Sequence, residues 1–271
     1  MVLSQSRHGS RARGYTAEYG TIEVVPQDEF DQEFQQQYSN SHLTMLGPTR
    51  RGKTRRARRL LKATTNKDHK AVVLHGKIKG RDSEIPEMSK DLNMRVVNEY
   101  PPEWRPGDRK RNGFIVVPLA RGTESTAEEN AILKAQYSKA IHACYQNKGK
   151  PVILVLDESH QAQETLGLKR EIEGPLMRGL PDCAEWNLIQ RGRFVSYHCY
   201  DAPEHLFIYY DPDVNNQKRY SEIGGVDPQY IQHISRGLKR RTIKKGGNEA
   251  TISEALYIRR GGPYLCIVSM D

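Results

Sequence analysis

The stretch GPTRRGKT at residues 47–54 fits the pattern G-x-x-x-x-G-K-[ST] at every fixed position. Gly47 and Gly52 let the backbone turn tightly enough for its N–H groups to converge on phosphate oxygens. Lys53 then reaches toward the β- and γ-phosphates, and the Thr54 hydroxyl is placed to hold Mg2+. Gly47, Pro48, Thr49, Arg50, Arg51, Gly52, Lys53, Thr54 and Arg55 form the candidate nucleotide-binding loop. Its setting agrees with that mechanism. The short apolar run HLTML (42–46) leads in, and a helix over 53–63 leads out, with the positive end of its dipole at the loop.

The same region is crowded with cations. Arg50, Arg51, Arg55, Arg56, Arg58 and Arg59 repel one another, so anions must offset the charge. Arg50 and Arg51 lie in the loop and could meet the nucleotide or a neighbouring subunit. The other four fall on several faces of the helix. A helix packed on a sheet cannot bury four guanidiniums without partners, so at least two are expected at solvent or at a subunit interface. A solvated basic face and a DNA or subunit contact are both open at this point.

A second motif narrows the chemistry. VILVLDESH (152–160) is an apolar run ending in two adjacent carboxylates, Asp157 and Glu158. An apolar run of this kind reads as a buried parallel strand, and its carboxyl end is the edge of an α/β sheet where ligands sit. Asp157 is expected to hold Mg2+, directly or through water, and Glu158 to orient and deprotonate an attacking water. A plainer role for Asp157 or Ser159 is to cap the next helix. The paired acids downstream of the phosphate loop point instead to ATP hydrolysis, and away from a small-molecule kinase.

The rest of the chain alternates strand-like and helical stretches. TIEVV (21–25), AVVLH (71–75), MRVVNEY (94–100), GFIVVPL (113–119), FVSYHCY (194–200) and HLFIYYD (205–211) read as strands. Residues 125–147 read as an amphipathic helix opened by STAEE. ALYIRRGGPYLCIVSMD reads as a closing hairpin that turns at Gly261–Gly262. The expected fold is therefore α/β, a doubly wound and mainly parallel sheet with a C-terminal β-hairpin. Residues 1–36 are expected to form a basic, mobile tail with a short strand, and residues 37–271 the domain.

Composition bounds the partners. With 42 Lys and Arg against 33 Asp and Glu, the 271-residue chain carries a net charge of +9, which favours an anionic partner such as nucleic acid. RPGDRKRNG (105–113) and RGLKRRTIKKGG (236–247) read as basic loops suited to a phosphate backbone. Cys144, Cys183, Cys199 and Cys266 have no metal-ligand spacing and read as reduced thiols. No apolar run approaches the roughly 18 residues of a membrane span, nor does the N-terminus carry a signal-peptide core, so a cytoplasmic protein is expected.

Taken in order, MLGPTRRGKT, VILVLDESH, LIQRGRFVSYHCY, HLFIYYD and EALYIRRGG resemble the FtsK/HerA superfamily of P-loop DNA-translocating ATPases, over roughly residues 40–271. The small size is most similar to viral genome-packaging members, and it also fits plasmid-transfer motors. The resemblance implies a P-loop NTPase fold of RecA-like (ASCE) type, with ATP and Mg2+ bound between the subunits of a homo-oligomeric ring, hexamer or pentamer. It further implies double-stranded DNA as the partner and, for viral members, a portal or capsid vertex. Family position makes Arg191, Arg193 and Arg178 candidate arginine fingers acting in trans. The polar sensor at the end of the strand after the acidic pair, usually glutamine in the family, would fall at His198 or Asp201. A nucleotide-gated assembly or secretion factor of filamentous-phage type is the rival reading; members of that type carry a transmembrane segment.

Overall fold

The computed structural model describes residues 11–14, 20–38, 40–76, 84–119, 125–147, 149–178, 182–245, 248–260 and 264–269. The strands, in chain order, are β1 (Arg11–Gly14), β2 (Thr21–Val25), β3 (Leu43–Leu46), β4 (Lys70–Leu74), β5 (Met94–Val97), β6 (Gly113–Val116) and β7 (Val152–Asp157). They continue with β8 (Cys183–Ile189), β9 (His205–Ile208), β10 (Arg240–Lys245), β11 (Asn248–Ser253), β12 (Ala255–Arg259) and β13 (Tyr264–Val268). Eleven of them form one sheet in the order β1-β2-β13-β12-β9-β3-β8-β7-β4-β6-β5, and β10 and β11 pair separately. From β9 to β5 every pairing is parallel. The closing β12–β13 hairpin is antiparallel, as expected, though its glycine turn lies outside the described residues.

Helices cover both faces. On one side α1 (Gln27–Tyr38), α2 (Lys53–Thr64) and α3 (Glu84–Leu92) bury Phe30, Phe34, Leu60, Leu61 and Met88 against Val73, Val155, Trp186 and Phe207 of the sheet. On the other, α4 (Thr126–Tyr145) and α5 (Lys169–Arg178) bury Leu133, Tyr137, Ile141 and Ile172 against Leu74, Leu154 and Leu156. Helix α4 starts where STAEE predicts, with Ser125 and Glu128 forming a reciprocal capping box. The last apolar cluster packs α8 (Pro228–Arg236) and the turns around Tyr200 and Tyr220 over β9 and β12. A sheet buried on both faces explains why β7 is apolar along almost its whole length.

Three expectations need correction. First, the domain does not begin at residue 37. β2 lies parallel to β13, and α1 places the Phe30 ring edge-on to Tyr257 at 4.7 Å and the Phe34 ring edge-on to Trp186 at 6.0 Å. Phe30 and Phe34 are one helical turn apart in an otherwise polar segment, so two residues carry the apolar part of a buried face that also holds Gln27 and Asp31. Arg11–Gly14, expected in a tail, pairs antiparallel with β2.

Second, residues 194–200 are not a strand. They form a tight turn and then α6 (His198–Asp201), while the strand that follows β7 is Cys183–Ile189. The aromatic, β-branched sequence FVSYHCY has strand propensity, and tertiary packing of Val195, Cys199 and Tyr200 overrides it. Third, Arg240–Lys245 and Asn248–Ser253, β10 and β11, pair antiparallel and are not loops.

The crowded arginines of α2 find their anions inside the chain. Arg58 pairs with Asp91 at 2.8 Å and Glu87 at 3.3 Å, and Arg59 pairs with Asp31 and Asp28. Arg56 is fully buried. Its Nε donates to Tyr209 Oη at 3.0 Å, its Nη2 donates to the carbonyls of Val268 at 3.3 Å and Ser253 at 3.5 Å, and its guanidinium lies over the Phe207 ring at 5.5 Å. Three of the four helical arginines are therefore held within the chain. Arg56→Ala should lower stability by about 2–5 kcal/mol, because it leaves a cavity and unpaired acceptors. Arg55→Ala, on the same helix, should change stability by less than about 0.5 kcal/mol. Thermal unfolding of the two variants checks the contrast.

Candidate nucleotide site

Strands β3, β8 and β7 end together, Leu46 beside Ile189 and Leu188 beside Asp157. This edge gathers the loop after β3, Gln190 after β8 and the acidic pair at the end of β7. Gly47 is required where it stands, since a Cβ there would come within 2.7 Å of Tyr209 Cβ. Gly52 has φ 88°, in the region that favours glycine, and starts α2 directly. Thr49 and Arg50 are exposed at the loop tip, and the Arg51 guanidinium lies 5.4 Å from the Tyr210 ring centre.

Lys53 is buried under the loop, where its ammonium donates to Gly47 O at 2.6 Å and Pro48 O at 2.8 Å. Burial lowers its pKa to about 8, against the pull of Asp157, Asp211 and Glu158, which raise it. A lysine in this condition holds its charge at neutral pH and gains from an arriving phosphate.

The Thr54 hydroxyl is 3.4 Å from Asp157 Oδ1. Adjacent ligands of an octahedral Mg2+ lie about 3 Å apart, so the two oxygens fit one edge of such a shell with little movement. The other Asp157 oxygen faces His75 Nδ1 at 3.2 Å, from the end of β4. Among the described residues no group of three His, Cys, Asp or Glu side chains is placed to hold a metal.

Glu158 has φ 63°, unusual for a glutamate. Its Oε1 accepts from Gln190 Nε2 at 2.9 Å. Gln190 is thus the polar side chain at the end of the strand after the acidic pair. His198 and Asp201, expected in that role, are instead paired with each other in α6 at 3.4 Å. The alternation Cys183–Glu185–Asn187–Ile189 against Ala184–Trp186–Leu188 marks the strand that leads to Gln190, but two polar residues on a buried face disguise it. One of them, Glu185, is fully buried, and burial raises its pKa to about 8.

Arg191 and Arg193 are exposed just beyond Gln190 at the same edge. Arg178 ends α5, whose chain leads into the start of β8, and so lies toward the opposite edge. The two basic clusters separate in the same way. The segment 105–112 precedes β6, whose Gly113 pairs with Ala71 at the start of β4. The β10–β11 hairpin leads into β12 at the end where Leu256 pairs with Ile208, on the nucleotide-site edge. The Arg56 bond to Ser253 O ties the foot of the hairpin to α2, and burial and then the charge of Arg240 lower the pKa of Arg51.

No family model matches the sequence, and no curated protein matches it. Solved structures do. The chain is similar to the genome-packaging NTPase B204 from Sulfolobus turreted icosahedral virus 2 in complex with AMPPCP, at TM-score 0.53 and 12% identity over 86% of this chain and 98% of that one. It is also similar to the cytoplasmic domain of the Thermomonospora curvata type VII secretion ATPase EccC, at TM-score 0.50 and 10% identity over 96% of this chain and 28% of that one. The chain therefore has the α/β P-loop NTPase fold of these structures.

Because Lys53 must be charged to bind phosphate, affinity for a nonhydrolysable ATP analogue should be full below pH 8 and fall as pH rises through about 8 to 10. Titration of binding with pH checks this, and Lys53→Ala should bind too weakly to show the transition.

Proposed function

We propose that the chain is an ATP-hydrolysing motor that moves double-stranded DNA as a homo-oligomeric ring, in viral genome packaging or plasmid transfer. The observation that carries the hydrolytic part is the aimed carboxylate. Glu158, with its left-handed backbone, directly follows Asp157 and is held by Gln190, and the Asp157 carboxylate approaches Thr54 and the Lys53 loop. Glu158 takes the proton of the attacking water as the water oxygen bonds to the γ-phosphorus and the bond to the β–γ bridging oxygen breaks. The Lys53 ammonium offsets the charge that grows on the phosphate oxygens. Mg2+, when held by Thr54 and Asp157, supplies further charge neutralisation there.

The DNA part is supported by the net charge of +9 and by the hairpin, whose foot, at Lys239, Arg240 and Arg241, joins β12 on the nucleotide-site edge and whose strand β10 carries Lys244 and Lys245 further along. The fold likeness to a genome-packaging NTPase supports the same reading. Ring formation is supported by exposed Arg191 and Arg193 beside exposed Phe194 and Tyr197, the residue types that anchor interfaces. Either arginine would serve a neighbour's active site. Among the described residues no helix is long and apolar enough to cross a membrane.

Two experiments test the proposal. Glu158→Gln should keep analogue affinity while turnover falls about 10²–10⁴-fold, because an amide cannot accept the proton. Normal turnover in this variant would remove Glu158 as the base. Neutralising the five hairpin cations together should lower the log–log salt slope of duplex-DNA binding by as much as about 4, while analogue affinity holds. An unchanged slope would take the hairpin out of the DNA path.

A further inference from the structure

The segment 190–196 grips the catalytic turn at both of its ends. Gln190, its first residue, donates to Glu158 Oε1 at 2.9 Å. Ser196, its last, donates its backbone N–H to Gln163 Oε1 at 2.8 Å. Gln163 Nε2 in turn donates to Ser159 Oγ at 3.1 Å, and also lies 3.4 Å from Cys199 Sγ. The Ser159 hydroxyl donates to Asn187 Oδ1 at 2.6 Å, and Asn187 Nδ2 donates to Glu185 Oε1 at 2.7 Å. Ser159 directly follows Glu158. Ser159, Gln163, Asn187 and Ser196 are all at most 2% exposed.

Between the two grips stand Arg191 and Arg193, whose side chains reach solvent. The segment's outer side is tied as well: Arg193 N donates to Asn216 Oδ1 at 3.0 Å, and Arg219 donates to the carbonyls of Arg193 at 3.2 Å and Val195 at 3.0 Å. The segment is therefore fastened at intervals rather than loose.

A buried amide with both ends bonded cannot shift without breaking those bonds or carrying its partners with it. Gln163 also sits in a single π-helical turn, Gln161–Thr165, closed by Leu166 N to Gln161 O at 3.1 Å. Such turns are rare and frequent at functional sites. The left-handed backbone of Glu158 persists only because its surroundings hold it. A displacement of 190–196 thus reaches Glu158 twice: at its carboxylate through Gln190, and at its backbone neighbour through Gln163.

We propose that Gln163 is a positioning residue that transmits the placement of the Arg191–Arg193 segment to Glu158, so that an anionic group docking on those arginines sets the aim of the glutamate. This rests on the reading of Glu158 as the base in an ATP site. The coupling is reciprocal: nucleotide at the Lys53 loop must also be felt at Ser196.

Hydrogen exchange with and without a nonhydrolysable ATP analogue tests it, because this readout requires binding but no turnover. In the wild-type protein the analogue should slow exchange at residues 193–196 by about threefold or more. In Gln163→Met, a chain of similar length with no hydrogen bonds to offer, the analogue should bind with unchanged affinity and leave 193–196 unaffected. Ser159→Ala breaks the next link with a smaller change, should give the same result, and serves if Gln163→Met does not fold. Equal slowing in wild type and variants would overturn the proposal. So would a wild-type protein that binds the analogue with no change at 193–196. A wild-type protein that binds no analogue would instead overturn the nucleotide site, and this proposal with it.

Discussion

The buried guanidinium of Arg56 fastens the whole nucleotide edge. It stands one turn into the helix that the phosphate loop opens, and it bonds to Tyr209, Ser253 and Val268. Tyr209 is the residue whose Cβ leaves room only for glycine at position 47, and its N–H bonds Leu46 O. Ser253 ends the basic hairpin, and Val268 ends the last strand of the sheet. One charge therefore ties the loop, the hairpin and the C-terminal strands to a common point. A buried cation is tolerable only when carbonyl and aromatic groups surround it, which fixes the geometry of everything that touches it.

Around that point the site divides its work between rigid and strained parts. The rigid parts are parallel strands ending in register, which place Gly47, Asp157 and Gln190 along one line. The strained part is Glu158, whose backbone conformation costs of order 1–3 kcal/mol and is held by buried hydrogen bonds on the far side of the turn. Catalytic carboxylates must be aimed to within fractions of an ångström. On the proposed reading of Glu158 as the base, its aim comes from a side chain at the end of the next strand and a backbone held from behind.

Much of this was legible in the sequence. The phosphate loop, the acidic pair, α4 and the C-terminal hairpin follow from local chemistry: glycine spacing, an apolar run ended by acids, a capping box and alternating apolar residues. What was not legible depends on contacts between distant residues. Strand β8 hides behind Glu185 and Asn187, which are polar because they belong to a buried network and not because they face water. Missing that strand displaced the expected polar strand-end residue from Gln190 to His198 or Asp201. The arginines of α2 looked unpaired because their acids, Asp28, Asp31, Glu87 and Asp91, lie on two other helices. The start of the domain was obscured because only two apolar residues, Phe30 and Phe34, mark the buried face of α1, beside polar Gln27 and Asp31.

The central claim is that this edge hydrolyses ATP in response to duplex DNA. Steady-state phosphate release by the wild-type protein, with Mg2+, measured at low salt with and without linear double-stranded DNA, tests it most directly. The account predicts measurable hydrolysis that rises several-fold with DNA, a rise that disappears as salt releases the DNA. Hydrolysis that is identical with and without bound DNA, or no hydrolysis in either condition, would contradict it.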